Sequence, residues 1–375
     1  MQLKVARAVT PGGVVDDAVI EISDGRIRSV APGEGGGEFA ELWAVPGFVD
    51  THCHGAVGVS FGDDDVAANL RAIEYHRSHG STTLFASTVT QSIEALERQL
   101  VTLKGIVESG ELDGIHLEGP FLAAEQKGAH AEPLLCDPTP ERVERLIAAG
   151  APALKMITLA VERSHAQRAA RRFVEAGVAV AFGHSDADHE TTAMSLDWGA
   201  SVVTHLFNAM RGIHHRVPGP IPALLTDRRV MCELICDGIH LHPSVIAMAI
   251  DAAGPDRIAL VTDAMSATGH GDGCYVLGEL EVVVDNGTAR LATQDGSPGA
   301  IAGSTLTMAK AFEFVVQQAG VSIPMAATMA ATTPAEWHGL ADVGTLEPGK
   351  RADICLVDDD GILHCVIRDG NWVRR

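Results

Sequence analysis

Between residues 44 and 262, short apolar runs alternate with stretches patterned for helix, and this alternation restricts the fold more than any other feature of the chain. The runs are Ala44–Val49, Thr82–Ser87, Gly114–Leu117, Leu154–Leu159, Val178–Phe182, Ser201–Thr204, Val230–Ile235 and Ile258–Thr262, eight in all. The stretches between them include Val66–His79, Ser92–Glu108, Thr139–Ala149, Ser164–Ala176, His189–Trp198 and Pro243–Ala253. In the second of these, Leu96, Leu100, Leu103 and Val107 recur at spacings of three and four, which places them on one helical face. Thr139-Pro140 suits a helix start with proline at the first position. Strand followed by helix, eight times over, predicts an α/β protein with a closed (β/α)8 barrel. An open doubly wound sheet would carry a glycine-rich phosphate turn after its first strand, and no GxGxxG occurs there.

The chain ends follow a different pattern. Ala18–Ile22, Arg26–Val30, Ala352–Val357 and Cys365–Ile367 are short strand candidates separated by turns such as Ser23-Asp24-Gly25, with a loose loop at Gly33 and glycines 35–37. Both ends therefore belong to one small β-sandwich, residues 1–45 and 341–375, around a barrel of residues 46–340. Within 268–303, an alternating run at Leu280–Val284 precedes Asn286-Gly287, the dipeptide of a type I′ turn, which predicts a β-hairpin after the eighth strand. Residues 122–138 lack a strand or helix signal and suit a lid, with Cys136 near its end.

Barrels of this kind build their sites from residues at the C-terminal ends of the strands. Those positions hold His52 and His54 after the first run, Glu118 after the third, His184 after the fifth and His205 after the sixth. Asp237 and His240 follow the seventh, and Asp263 follows the eighth. His52 and His54, two residues apart at a strand end, point to one side, with Cys53 turned away. Each residue alone has an ordinary explanation: an exposed turn acid, a helix cap, a loop histidine. A barrel would bring all of them to one mouth, where imidazoles and carboxylates make a divalent-metal site.

Lys and Arg number 28 against 49 Asp and Glu, a formal charge of −21. Such a balance argues against nucleic acid or an anionic membrane as the main partner and leaves room for a small anion held by clustered cations. No apolar run approaches a membrane span, and the opening residues lack a signal-peptide core. The 7 cysteines are dispersed with no CxxC pair, as expected of reduced thiols in a cytoplasmic protein; Cys232 and Cys236 read better as buried strand residues than as ligands.

The strings HLEGPF (116–121), KGAH (127–130), GHSDA (183–187), THLFNAM (204–210), HHRVPG (214–219), DGIH (237–240) and VTDAM (261–265) narrow the class. With the H-x-H pair, they resemble the amidohydrolase superfamily and, within it, the N-acetylglucosamine-6-phosphate deacetylases. The resemblance extends to GTLEPGKRAD (344–353), which is similar to the superfamily's return into its accessory β-module. It implies hydrolysis of the acetamide of a 6-phosphorylated amino sugar. Glu118, His184 and His205 would hold the common metal. His52 and His54, with Glu118 bridging and Asp263 alongside, would hold a second; two zinc ions are expected, with iron or manganese as substitutes. The resemblance makes Asp263 the proton carrier and His130 the stabiliser of the oxyanion. It assigns His240, Asn208 and the Ala209 N–H to substrate, the latter two at its phosphate end. Arg216 would reach across a homodimer interface to the phosphate. Two other readings share the fold, a cyclic-amide or nucleobase hydrolase without a phosphate clamp and a barrel retained as a non-catalytic scaffold.

Overall fold

The computed structural model describes residues 1–33, 36–294 and 297–375. The expected loop at residues 33–37 therefore lies partly outside the described residues. Eight parallel strands form one sheet: Phe48–Cys53, Ser81–Thr88, Gly114–Glu118, Leu154–Leu159, Ala179–Phe182, Ala200–Val203, Met231–Ile235 and Ile258–Val261. They are numbered here as the first to eighth barrel strands. Each pairs with its neighbour in sequence order, and a parallel bridge from Cys53 to Ala264 joins the last to the first. Asp50 strengthens that seam, accepting hydrogen bonds from Thr262 N at 3.2 Å and Thr262 Oγ1 at 2.7 Å. The closed barrel expected from the alternating runs is the fold observed.

Helices follow every strand. Val66–Ser78, Ile93–Glu108, Pro140–Gly150, Ala166–Glu175, His189–Leu196 and Pro243–Ala253 fall where the pattern predicts. Ile221–Thr226 and Met308–Gln317 complete the ring. Ser92 caps the second helix by accepting from Ala95 N, and that helix buries Ile93, Leu96, Leu100, Leu103 and Ile106. Val107 is only half-buried, because Ile106 occupies the inward position one residue earlier.

The first apolar run needs a correction. Ala44–Val49 is not one strand: Phe39–Pro46 belongs to the terminal sheet and Phe48–Cys53 to the barrel. The chain changes sheets at Gly47, where a Cβ would sit 2.2 Å from Thr82 Oγ1. The terminal sheet has seven strands in the order Asn371–Arg374, Leu363–Arg368, Ile354–Val357, Phe39–Pro46, Gln2–Thr10, Gly13–Ser23, Arg26–Pro32. It curls until Arg26, on its far edge, bridges Arg351. The curl encloses an apolar cluster that includes Leu3, Ile20, Ile27, Leu346, Ile354 and Ile367. The insertion after the eighth strand holds three antiparallel strands where two were expected, Gly273–Leu277, Leu280–Asp285 and Thr288–Leu291. Asn286 and Gly287 take φ of 49° and 74°, the left-handed pair a type I′ turn requires. No helix among the described residues is long and apolar enough to cross a membrane.

Candidate metal centre

Side chains alternate along a strand, so inward positions on the barrel recur every second residue. The deeper inward layer is apolar, built from Met156, Ala181, Val202, Met231 and Ala259. Two residues further along the fourth, sixth and seventh strands, the same faces carry Thr158, Thr204 and Glu233. These are buried with His116, which contacts Ser87 Oγ at 2.9 Å and Thr158 Oγ1 at 2.8 Å. Above this polar floor, at the strand ends, the predicted residues converge.

Glu118 lies at the centre. Its Oε1 is 3.1 Å from both His184 Nε2 and His205 Nε2, and its Oε2 is 3.1 Å from His54 Nε2 and 3.4 Å from His130 Nε2. Asp263 Oδ1 is 3.2 Å from His54 Nε2 and 3.5 Å from His52 Nε2, and those two nitrogens are 3.1 Å apart. His184 Nε2 and His205 Nε2 approach to 3.0 Å. Backbone strain concentrates here: His184, His205, Phe207, Ala209 and Asp263 all have positive φ.

Hydrogen bonds on the far side of two of these rings locate their protons. His52 Nδ1 faces Glu233 Oε2 at 3.1 Å, and His184 Nδ1 faces the Gln126 carbonyl oxygen at 2.8 Å. Only an N–H can face such acceptors, so in the neutral rings Nε2 presents a lone pair inward. Lone pairs this close to one another and to carboxylate oxygens require positive charge between them. Ligands about 2.0–2.1 Å from a shared ion come to roughly these separations, so the donor set fits a divalent cation. His130 is held the opposite way. Its Nδ1 accepts from Thr90 N at 3.2 Å and lies 2.9 Å from Thr90 Oγ1, which leaves the proton on Nε2. Burial, then the neighbouring His184, pushes His130 down to about 4, so it stays neutral. Although its Nε2 lies close enough to Glu118 and His184 to suggest a ligand, an N–H cannot coordinate. His205 Nε2 stands beside that pair, 3.1 Å from Glu118 Oε1 and 3.0 Å from His184 Nε2.

The same demand for positive charge appears in the acid–base equilibria. Burial alone would push His54 down, but hydrogen bonds and charge from Asp263 and Glu118 pull it up to about 9. Burial likewise opposes ionisation of Asp263, and His52 and His54 nonetheless hold it at about 2. Glu118 is held well below the usual carboxylate range against its own burial, chiefly by His52. Protons and a metal ion compete for the same nitrogen atoms.

A cavity of about 290 Å³ opens above this cluster. Asn208, Ala209, His240 and Ile301 are among the residues lining it. Asp237 orients His240, its Oδ2 lying 2.7 Å from Nδ1 while Oδ1 accepts from the N–H groups of Ile239 and His240. The 122–138 segment forms one wall through Glu125, Gln126 and Gly128–His130, and includes short 3-10 turns at Ala124–Gln126 and Glu132–Leu134. Half-buried Cys136 is not among the lining residues. Arg216 is not brought to the cavity either; it lies on an exposed loop, its Nη1 2.7 Å from His215 Nε2.

Reasoning from strand ends passed over Glu233, Thr90 and Gln126. Glu233 had a visible signal, an acid in the apolar run Val230–Ile235. The other two act through loop geometry, Gln126 by its backbone carbonyl, which any residue could supply.

The amidohydrolase family model matches residues 43–373. The chain belongs to the amidohydrolase family. It is 35% identical, over 95% of its length and 94% of the relative's, to an N-acetylgalactosamine-6-phosphate deacetylase of Escherichia coli O157:H7. It is 36% identical to the N-acetylglucosamine-6-phosphate deacetylase of Vibrio furnissii, over 84% of this chain and 79% of the other. Among solved structures, a Mycobacterium smegmatis N-acetyl-D-glucosamine-6-phosphate deacetylase variant in complex with N-acetyl-D-glucosamine-6-phosphate superposes with a TM-score of 0.95. That pair shares 40% identity and covers 100% of this chain and 99% of the other.

Proposed function

We propose that this amidohydrolase removes the acetyl group of N-acetylglucosamine 6-phosphate, giving glucosamine 6-phosphate and acetate, with two divalent cations per chain, zinc first among them. The observation that carries the reading is that one cluster holds both an N–H donor, His130 Nε2, 3.4 Å from Glu118 Oε2, and the ionised carboxylate of Asp263, 3.2 Å from His54 Nε2. His52, His54 and Asp263 would hold one cation, Glu118, His184 and His205 the other, with Glu118 shared. Bound there, a divalent cation lowers the pKa of water towards 7 and polarises an amide carbonyl.

Asp263 takes a proton from the attacking water as its oxygen bonds to the carbonyl carbon, then returns it to the nitrogen as the C–N bond breaks. His130 donates its Nε2–H to the oxygen that gains negative charge. Asn208 and the Ala209 N–H receive the phosphate end, His240 binds the sugar, and Arg216 reaches the phosphate of a neighbouring subunit in a homodimer. Arg216 is suited to that task, because its fork of donors matches phosphate oxygens. The seven cysteines are all free, which supports a reducing, cytoplasmic setting.

The test is turnover of the 6-phosphate against the dephosphorylated sugar, before and after chelation and re-addition of zinc. Equal rates on both sugars would favour the hydrolase without a phosphate clamp; no turnover by metal-replete protein would favour the scaffold. An N-acetylgalactosamine 6-phosphate arm decides between the two substrate names carried by the relatives.

A further inference from the structure

Of the four imidazoles that present Nε2 to Glu118 and Asp263 in the proposed cation sites, one has a charged group behind it. His52 Nδ1 is held by Glu233 Oε2 at 3.1 Å. Behind His184 stands only the neutral carbonyl of Gln126, while His54 Nδ1 and His205 Nδ1 have no hydrogen-bond partner among the described residues. Glu233 is 0% exposed, on the inward face of the seventh barrel strand. Its other oxygen accepts from Thr51 Oγ1 at 3.2 Å, and its ion-pair partner among the described residues is His52. A carboxylate this enclosed needs compensating positive charge close by. The path to it runs through the His52 ring to Nε2, 3.5 Å from Asp263 and 3.6 Å from Glu118.

We propose that Glu233 is the positioning residue that makes the His52–His54–Asp263 site retain its cation. It fixes the proton on His52 Nδ1, aims the Nε2 lone pair at the site and places negative charge behind the ring, which makes the imidazole a stronger donor. The Glu118–His184–His205 site has no such support, so the effect is selective for one of the two sites. The inference rests on the two-cation reading above.

The experiment compares the zinc-loaded full-length protein with Glu233→Gln, Glu233→Asp, His52→Ala and the double variant His52→Ala/Glu233→Gln. Bound zinc is counted by elemental analysis across a chelator series, and cobalt-substituted protein is examined for spin coupling between the ions. The expected result is two ions in the unaltered protein, with Glu233→Gln losing one of them at roughly 10–100-fold lower chelator and losing the coupling. The remaining ion resists chelator as before. Glu233→Asp, which keeps the charge, should fall between the two. In the His52→Ala background Glu233→Gln should change nothing further, because its effect passes through that ring.

The proposal is overturned if Glu233→Gln keeps both ions at unchanged chelator resistance, if it loses both in parallel, or if either Glu233 variant fails to fold by circular dichroism. An unaltered protein that binds a single ion would end both this inference and the two-cation reading. Two ions without deacetylation would end the functional reading and leave the role of Glu233 standing.

Discussion

His130 and His184 lie ring to ring at 4.6 Å, yet the structure places their protons on opposite nitrogens. The difference is made outside the site, by a backbone N–H from Thr90 for one ring and a backbone carbonyl from Gln126 for the other. In the proposed reaction this lets one histidine donate to a developing oxyanion while the other offers a lone pair. The residue type was legible in KGAH and GHSDA; the proton position was not, since it depends on contacts from other loops. At this scale, Asp263→Asn should lower kcat by about 10²–10⁴-fold with little change in KM, the loss typical of a removed acid–base group. Steady-state kinetics that place the variant within tenfold of the parent would remove Asp263 from that role. Cation binding should also release protons. His54 is raised to about 9 in the metal-free protein, so below that pH it carries a proton that a metal must displace. Apparent affinity should therefore rise with pH towards about 9 and weaken in acid. Calorimetry at pH 7 in buffers of different ionisation enthalpy measures the release, and identical heats in all buffers would contradict it.

At the scale of elements, periodicity succeeded where one face of an element is buried. Leu96, Leu100 and Leu103 form the inner stripe of the second helix because the spacing of three and four matches its turn. Leu100→Ala should cost about 2–5 kcal/mol, read from urea unfolding, since it would leave a cavity in a fully buried position. A loss below ~1 kcal/mol would place that face outside the core. Periodicity failed at Ala44–Val49, because a continuous apolar run carries no mark of which sheet each half joins. Only Pro46-Gly47 hinted at the break. The short helix Ile221–Thr226 was likewise missed, being less than two turns long and too brief to show a stripe.

At the scale of the molecule, the terminal sheet is locked to the barrel through GTLEPGKRAD. Arg351 donates to Asp353 Oδ2 from Nη2 at 2.6 Å, and to Thr83 Oγ1 at 2.9 Å and the Thr82 carbonyl at 3.3 Å, the last two at the start of the second barrel strand. Asp353 is buried and its carbonyl accepts from Gly47 N, at the point where the chain leaves one sheet for the other. Arg351→Ala would strand that carboxylate and should destabilise the protein by about 3–5 kcal/mol. Denaturant unfolding checks this, and an unchanged midpoint would show that the clamp is dispensable.

Alternation of apolar runs was enough to establish the barrel, and polar residues at their ends to name side chains that meet at its mouth. Both follow from local rules, the period of a strand and the direction in which parallel strands run. Tertiary structure alone decided which nitrogen of each imidazole faces inward, that Glu233 stands behind His52, and where the first apolar run divides between sheets. Those outcomes depend on atoms brought together from distant parts of the chain, and no local pattern carries that information.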